Sequence, residues 1–577
     1  MKLIVAIFSI FLYSTLFAQI DSSGNYAQID FPNLLYRIDV TKNKKKQFSD
    51  SIYRFPNFQT IPSSIFPIYN SPSKKNLHFS NTINKPTTLN IFQVGHSETF
   101  LFYQIGSANS QNLILTHLQR INKKLSGLVE YSRNNSGGFY IHQEGKSEKL
   151  NVLFNFNSFS NNYKLQPYFQ YQNFTRQENG GIKSDSLFSI GDFTNPTFLE
   201  TNLTSAKNTS NHIQVGIKQR FFSKSKVPRI YNDIGYSQEK RIFNYNPQEL
   251  YYDSIYLDTS ITNDLYKTEK YYNEIALLFL LKKTIHKIGL RNEFLKYTQN
   301  TFDTTSFENK LFLNSQINFL KSKLFFDFEY SITGFNSGNF SSQLYYEKIN
   351  QSLFSKIKFQ ANILSQNPEI IYFRMTGNHF QWNNNLTQQF YFENNFSLES
   401  KFGELNLNYE MINNFVFLNE NIQVVQAIES IQKIKINYFY ILDKKKIYWR
   451  NDLIYQNVFS GNQFYRLPNF TIRSDLKFKS PLKGMDLQIG ITANYITSFY
   501  ANAYDPALGT FYLQNEIKTG NYPILDFYIQ SSIKTVDLKF TLAHFNSGFT
   551  GYNYYATPLY PIAPRAFYFG LSWHFKD

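Results

Sequence analysis

The chain has 577 residues, with 58 Lys and Arg against 42 Asp and Glu, a formal net charge of +16 and no Cys. The missing Cys excludes disulfides, thiolate chemistry and a lipid-anchor cysteine. Beyond the N-terminal apolar stretch no run approaches 18 consecutive apolar residues, which excludes transmembrane helices. A mean hydropathy of −0.38 stands beside 59 Phe and 43 Tyr. That pairing suits a membrane β-barrel, in which half of each strand faces lipid, aromatic girdles mark both interfaces, and lumen and loops are polar. A large soluble β-protein is the competing class.

Met1 and Lys2 give a positive start, Leu3 to Phe17 an apolar run, and Ala18-Gln19 a cleavage point. Residues 1–18 are therefore expected to be a secretory signal peptide. Residues 19–95 lack periodicity and carry the basic run Lys42-Asn43-Lys44-Lys45-Lys46 with Pro56, Pro62, Pro67 and Pro72. This stretch is expected to be an irregular periplasmic leader, with a small plug or a partner contact as the functional alternative.

From residue 96 to 577 the pattern predicts a barrel, with period-2 segments recurring in hairpins. Leu311, Leu313, Ile317 and Phe319 turn at Leu320–Ser322 into Leu324, Phe326, Phe328 and Tyr330. Phe390–Ser400 turns at Lys401–Glu404 into Leu405, Leu407 and Tyr409. Ile434, Ile436 and Tyr438 turn at Asp443–Lys446 into Trp449, Leu453 and Tyr455. Ile472, Leu476 and Phe478 turn at Pro481–Gly484 into Leu487, Ile489 and Ile491. Tight turns (Asn122–Lys124, Ser160–Tyr163, Lys282–Thr284) alternate with long polar loops near Thr175–Ser210, Ser237–Lys270, Ser365–Asn385, Ser498–Tyr522 and Asn546–Pro564. Short periplasmic turns and long extracellular loops are the mark of a transmembrane antiparallel up-and-down β-barrel. The alternation gives about 22 strands, within a range of about 18–22 because Gln343–Tyr346 and Ile230–Tyr236 are weakly patterned.

The last strand is the clearest. Phe567, Phe569, Leu571, Trp573 and Phe575 fall on one face, and Tyr568, Gly570, Ser572 and His574 on the other. The apolar face is expected to meet lipid, and this strand to pair with one near Phe100–Ile105, closing the barrel. The aromatic end resembles the signal read by the barrel-assembly machinery.

Several motifs then carry a resemblance. They are Gln177-Glu178-Asn179-Gly180-Gly181-Ile182, Asn378-His379-Phe380-Gln381-Trp382 and Arg466-Leu467-Pro468-Asn469-Phe470. With them stand Tyr504-Asp505-Pro506-Ala507, Phe511-Tyr512-Leu513-Gln514-Asn515-Glu516 and Gly520-Asn521-Tyr522-Pro523. His544-Phe545-Asn546-Ser547-Gly548 and Tyr560-Pro561 follow before the final strand. In their order and spacing from about Phe100 onward, the chain resembles the putative porin family of Bacteroidota outer membranes. The resemblance implies an outer-membrane barrel more firmly than any particular solute.

Residues for chemistry are sparse. The nine His are scattered, without HExxH or a short metal-ligand spacing, and no GxSxG elbow or phosphate-binding Gly loop occurs. His379 and His544 are read as structural hydrogen-bonding residues, and Asp327 with Glu329 as pore lining instead of an acid–base pair. No catalytic residue, metal or cofactor is expected. Basic residues interleave through strands instead of clustering on one surface, which argues against nucleic acid as a partner.

The leading expectation is a porin-like channel for passive diffusion of small hydrophilic solutes. Its partners would be outer-membrane lipid and lipopolysaccharide. Lumen-facing basic residues outnumber the opposing Glu293, Glu399, Asp452, Asp475 and Asp526, which predicts a weak anion preference. Arg291, Lys356, Lys358, Lys435 and Arg450 are the candidate pore-lining positions. The alternative is a structural or ligand-binding barrel with an occluded lumen.

Overall fold

A computed structural model describes residues 97–576, apart from 159–161, 194, 223–227, 282–283, 320, 350–353 and 483. The expected signal peptide and the leader to residue 95 lie outside the described residues. Twenty-two strands form one closed antiparallel sheet. In chain order they begin β1 (Glu98–Gly106), β2 (Ser110–Arg120), β3 (Leu125–Ser136), β4 (Gly145–Asn157) and β5 (Tyr163–Gln177). Next come β6 (Lys207–Phe222), β7 (Pro228–Tyr245), β8 (Thr262–Leu281), β9 (Thr284–Gln299), β10 (Asp303–Asn318) and β11 (Ser322–Thr333). The wall continues with β12 (Phe340–Ile349), β13 (Phe354–Gln366), β14 (Gln389–Ser400), β15 (Gly403–Asn413) and β16 (Ile431–Asp443). It ends with β17 (Ile447–Ser460), β18 (Phe470–Leu482), β19 (Met485–Ile496), β20 (Ile524–Ile533), β21 (Val536–Ala543) and β22 (Ala566–Lys576).

Each strand pairs with its neighbours in sequence, and β1 pairs with β22 from Glu98↔Lys576 to Gly106↔Tyr568. The seam lies where the last strand was expected to close the sheet. No edge is left, so every strand finds backbone partners on both sides. At one end the connections hold two to five residues; at the other they run from three to 29. This is the sorting by parity that the sequence predicts. The strands β7 and β8 reach 18 and 20 residues, so Ser237–Lys270 is mostly strand and its loop shrinks to 246–261. Loops at 414–430 and 461–469 join the long-loop end without having been expected there.

Two faces with opposite chemistry follow from period 2. Outward stand exposed apolar side chains such as Ile275, Leu277 and Phe279 on β8 and Ile472, Leu476 and Phe478 on β18. On β22, Phe567, Phe569, Trp573 and Phe575 are 52, 45, 39 and 37% exposed, and Leu571 is partly so. Tyr568, Gly570 and Ser572 between them are buried on the inner side. Inward the wall is polar, with aromatic shelves. In register across four strands stand Tyr168, Gly216, Gly235 and Tyr272. The two Tyr hydroxyls meet over the glycines, where a Cβ at Gly216 would lie 2.4 Å from the Tyr168 hydroxyl and one at Gly235 2.5 Å from that of Tyr272. Glycine is thus required for the rings to lie flat on the wall.

If the exposed apolar face is the one set in hydrocarbon, Leu571→Arg in mid-strand should destabilise the barrel by about 2–4 kcal/mol. Urea unfolding in lipid vesicles, followed by heat-modifiable mobility, reads this out. A variant as stable as wild type would place that face elsewhere.

Candidate functional site

The inner wall is a mesh of ion pairs. Arg291 donates to Glu274 at 2.7 Å and to Glu329 at 2.8 Å, while Lys287 reaches the other Glu274 oxygen at 2.8 Å. Lys310 donates to Glu293 at 2.8 Å. Further round, Lys356 pairs with Glu347 at 2.9 Å, Lys358 with Glu404 at 3.4 Å and Lys433 with Glu410. The basic excess expected from sequence counts Glu293 but omits Glu274, Glu347, Glu404 and Glu410, so the wall is closer to neutral than the formal charge implies.

The five candidate pore residues are not gathered in one place. Lys358 on β13 and Lys435 on β16 line a common recess of about 330 Å³. Lys356 lies two residues along β13. Arg291 stands apart on β9, inside the Glu274 and Glu329 network. Arg450 lies near the short-turn end of β17, its guanidinium 4.9 Å from the Phe439 ring centre. Asp327 accepts from Asn314 at 2.8 Å, and Glu329 is held by Arg291, so neither carboxylate is arranged as one half of a dyad.

The long-loop end carries a feature with no counterpart in the sequence reading. The β19–β20 connection sends a short hairpin, Ala503–Asp505 with Thr510–Tyr512, across the mouth to the inner face of β5–β7. Its tip, Pro506–Leu508, is wholly buried. The Pro506 carbonyl accepts from Asn208 at 2.9 Å and from Arg241 at 2.8 Å. Glu178 accepts from Arg176 and Asn208 at 2.6 Å each and from the Tyr504 hydroxyl at 3.1 Å. The Ala507 amide donates to the Tyr252 hydroxyl at 3.0 Å, and Leu508 packs with Ile371, Met375, Val416 and Leu418. One hairpin thus ties together loops from separate sectors of the rim.

Local chemistry shapes that tip. Asp505 Oδ1 accepts from the Leu508 amide at 2.7 Å, and its carbonyl accepts from Gly509 at 2.7 Å, a side-chain-stabilised turn that ends at Gly509 with φ +62°. Burial pushes the Asp505 carboxyl up to about 7, with Glu178 adding to the rise and Arg241 opposing it. The expected structural histidines sit in the same layer. His379 bonds Thr262 and the Ser254 carbonyl at 2.8 Å each and stacks on Tyr252 at 4.4 Å. His544 bonds the Ala563 carbonyl at 2.7 Å and Tyr522 at 3.1 Å, and burial lowers it to about 4, so it is neutral at physiological pH. The segments carrying the family resemblance therefore pack on one another as a lid. Glu178, Tyr504 and Asp505 were visible as motif residues, but nothing in their spacing assigns them to a shared cluster.

Two outcomes follow. Glu178→Ala leaves Arg176 buried without its carboxylate and should destabilise the docked hairpin by about 3–5 kcal/mol. Asp505 holds its proton more tightly when docked than when released. Its contribution to docking is then fully present below the ordinary carboxylate pKa of about 4 and is lost as pH rises through about 7. Protection of the 503–512 amides, taken relative to their intrinsic exchange rate at each pH, should be greater at acidic than at neutral pH, and Asp505→Asn should abolish the difference. Equal protection at both pH values in wild type would contradict the assignment.

The fold recurs among solved structures, each about one-tenth identical to this chain. The copper transporter OprC matches with a TM-score of 0.62 and 9% identity, over 84% of this chain and 81% of that one. The ferric-catecholate import receptor Fiu from K12 E. coli matches at 0.58 and 12%, over 84% and 82%. The FrpB iron transporter from Neisseria meningitidis matches at 0.56 and 11%, over 84% and 82%. At such identity the likeness establishes the fold, that of outer-membrane barrels. No curated protein matches the chain in sequence. The family model described as putative porin matches residues 54–577, nearly the whole chain, and the protein belongs to that family.

Proposed function

We propose that this protein is an outer-membrane channel for passive diffusion of small hydrophilic solutes, closed at its outer mouth by the 503–512 hairpin. The observation that carries this reading is the inner wall, where ion pairs and carboxamides line the lumen opposite an exposed apolar face. Such a wall favours polar solutes, and diffusion through it calls for no catalytic group, cofactor or energy coupling. Residues 1–18 serve as the export signal in this reading. The aromatic C-terminal strand is read by the barrel-assembly machinery, and the long loops face the outside among lipopolysaccharide.

Selectivity should be mild. Arg291, Lys356 and Lys358 each face a carboxylate, so their fields largely cancel. With a Debye length of about 8 Å at physiological salt, a wide lumen also screens its walls. A weak anion preference that fades at high salt is expected. A second reading, a ligand-binding barrel with an occluded lumen, draws support from the buried hairpin tip.

Conductance of the full-length protein in planar bilayers separates the two. Stepwise currents support a channel whose hairpin opens; folded barrels that stay silent even when residues 503–512 are removed support the binding reading. Across a salt gradient, Lys356→Glu/Lys358→Glu should move the reversal potential toward cations. An unchanged potential would remove these residues from the conduction path.

A further inference from the structure

The recess on the inner wall has a composition that the general channel reading leaves unused. Across β13–β17, directly opposed residues share the inward face. One row runs Gln360, Asn395, Asn408, Lys435 and Gln456. The next runs Lys358, Ser397, Asn406 and Asn437. Beyond Gln360 the first row continues into Tyr345 on β12 and Phe325 on β11, whose rings lie 5.7 Å apart. Five strand spacings separate Tyr345 from Gln456, about 24 Å along the wall.

The charges in the recess answer one another. Lys358 faces Glu404, Lys433 is paired with Glu410, and Lys435 lies in the field of Asp452, Glu410 and Glu393. An ion entering here would compete with partners already in place. The carboxamides are different. Glu393 can only accept, which fixes the Asn408 amide nitrogen toward it at 3.0 Å and toward Asn395 Oδ1 at 2.7 Å. That orientation leaves the Asn408 oxygen and the Asn395 nitrogen, an acceptor beside a donor on two residues that line the recess, without a hydrogen bond among the described residues. Asn437 Oδ1 is buried and accepts no hydrogen bond from the described residues.

Alternating donors and acceptors at neutral charge, ending on an aromatic shelf, match the chemistry of vicinal hydroxyls on a ring with an apolar face. We infer that the recess lined by β12–β17 is a binding subsite for a short neutral oligosaccharide, an inference that rests on the channel reading for its physiological role. Hydroxyl pairs bridge Asn395 and Asn408, a neighbouring sugar meets Asn406 and Asn437, and a terminal ring packs against Tyr345. The elongated row favours a chain of sugars over a single ring.

Calorimetric titration of the full-length protein in detergent with maltotriose, beside tetraglycine, tests this without any need for conduction. Saturable maltotriose binding and none for tetraglycine are expected. Asn408→Ala should weaken it roughly tenfold, the worth of one hydrogen bond at the upper end. Tyr345→Ala should weaken it comparably, whereas Tyr345→Phe should retain it. No maltotriose binding by folded wild type, preference for tetraglycine, or unchanged affinity in Tyr345→Ala would overturn the inference. The channel reading fails separately. Binding with silent bilayers keeps the subsite and sinks the channel, and stepwise currents that maltotriose neither blocks nor binds do the reverse.

Discussion

Backbone amides set in hydrocarbon have no water to bond, and each one left unpaired costs several kcal/mol by rough estimate. That constraint decides the architecture here. A sheet that must pair every strand on both sides has to close, and the β1–β22 register does so along nine residue pairs. Closure fixes the parity of every side chain. Outward positions face a solvent that rewards Ile, Leu and Phe, while inward positions must satisfy polar groups against one another. The ion pairs of Glu274, Glu347 and Glu410 and the aromatic shelf over Gly216 and Gly235 are consequences of that second demand.

Closure also creates a difficulty. Barrels of 22 strands are wide, and a wide lumen open at both ends would leak. The loops on one side meet this by packing as a second, smaller core. Leu203, Phe243, Tyr245 and Ala507 make one of its clusters, and Ile371, Met375, Leu418 and Leu508 another. The hairpin at Asp505 joins them because its tip inserts where rim loops converge. Buried charge in this layer is tolerable only with its partners in place, so Arg176, Glu178 and Arg241 specify one docked geometry. A lid held by a few polar anchors and a titratable carboxyl is easier to open than one held by area alone.

How much of this was legible depended on the range of the signal. Period-2 alternation is local, so the strand count, the closing strand and the parity of the loops could be read directly from segments such as Leu311–Tyr330 and Phe567–Phe575. The ends of β7 and β8 were taken for loop because Gln238–Lys240 and Thr268–Lys270 are polar on both faces, which erases the alternation while the backbone stays paired. The inner wall was less legible, because carboxylates such as Glu274 in mid-strand and Glu404 at the start of β15, which face Arg291 and Lys358, went uncounted. The lid was invisible, because contacts such as Glu178 with Tyr504 join residues 326 apart and leave no periodic trace.

The most direct test of the account is to lock the lid. The chain has no cysteine of its own, and Ala206 and Ala507 pack in one buried cluster that joins the rim to the hairpin tip. In a protein carrying Ala206→Cys and Ala507→Cys, single-channel current is recorded with the pair oxidised, the bridge being verified by mass, and again after reductant. The account predicts silence when the bridge is formed and stepwise currents once it is reduced. Equal currents in the two states, with the bridge verified, would show that the hairpin does not close the conduit.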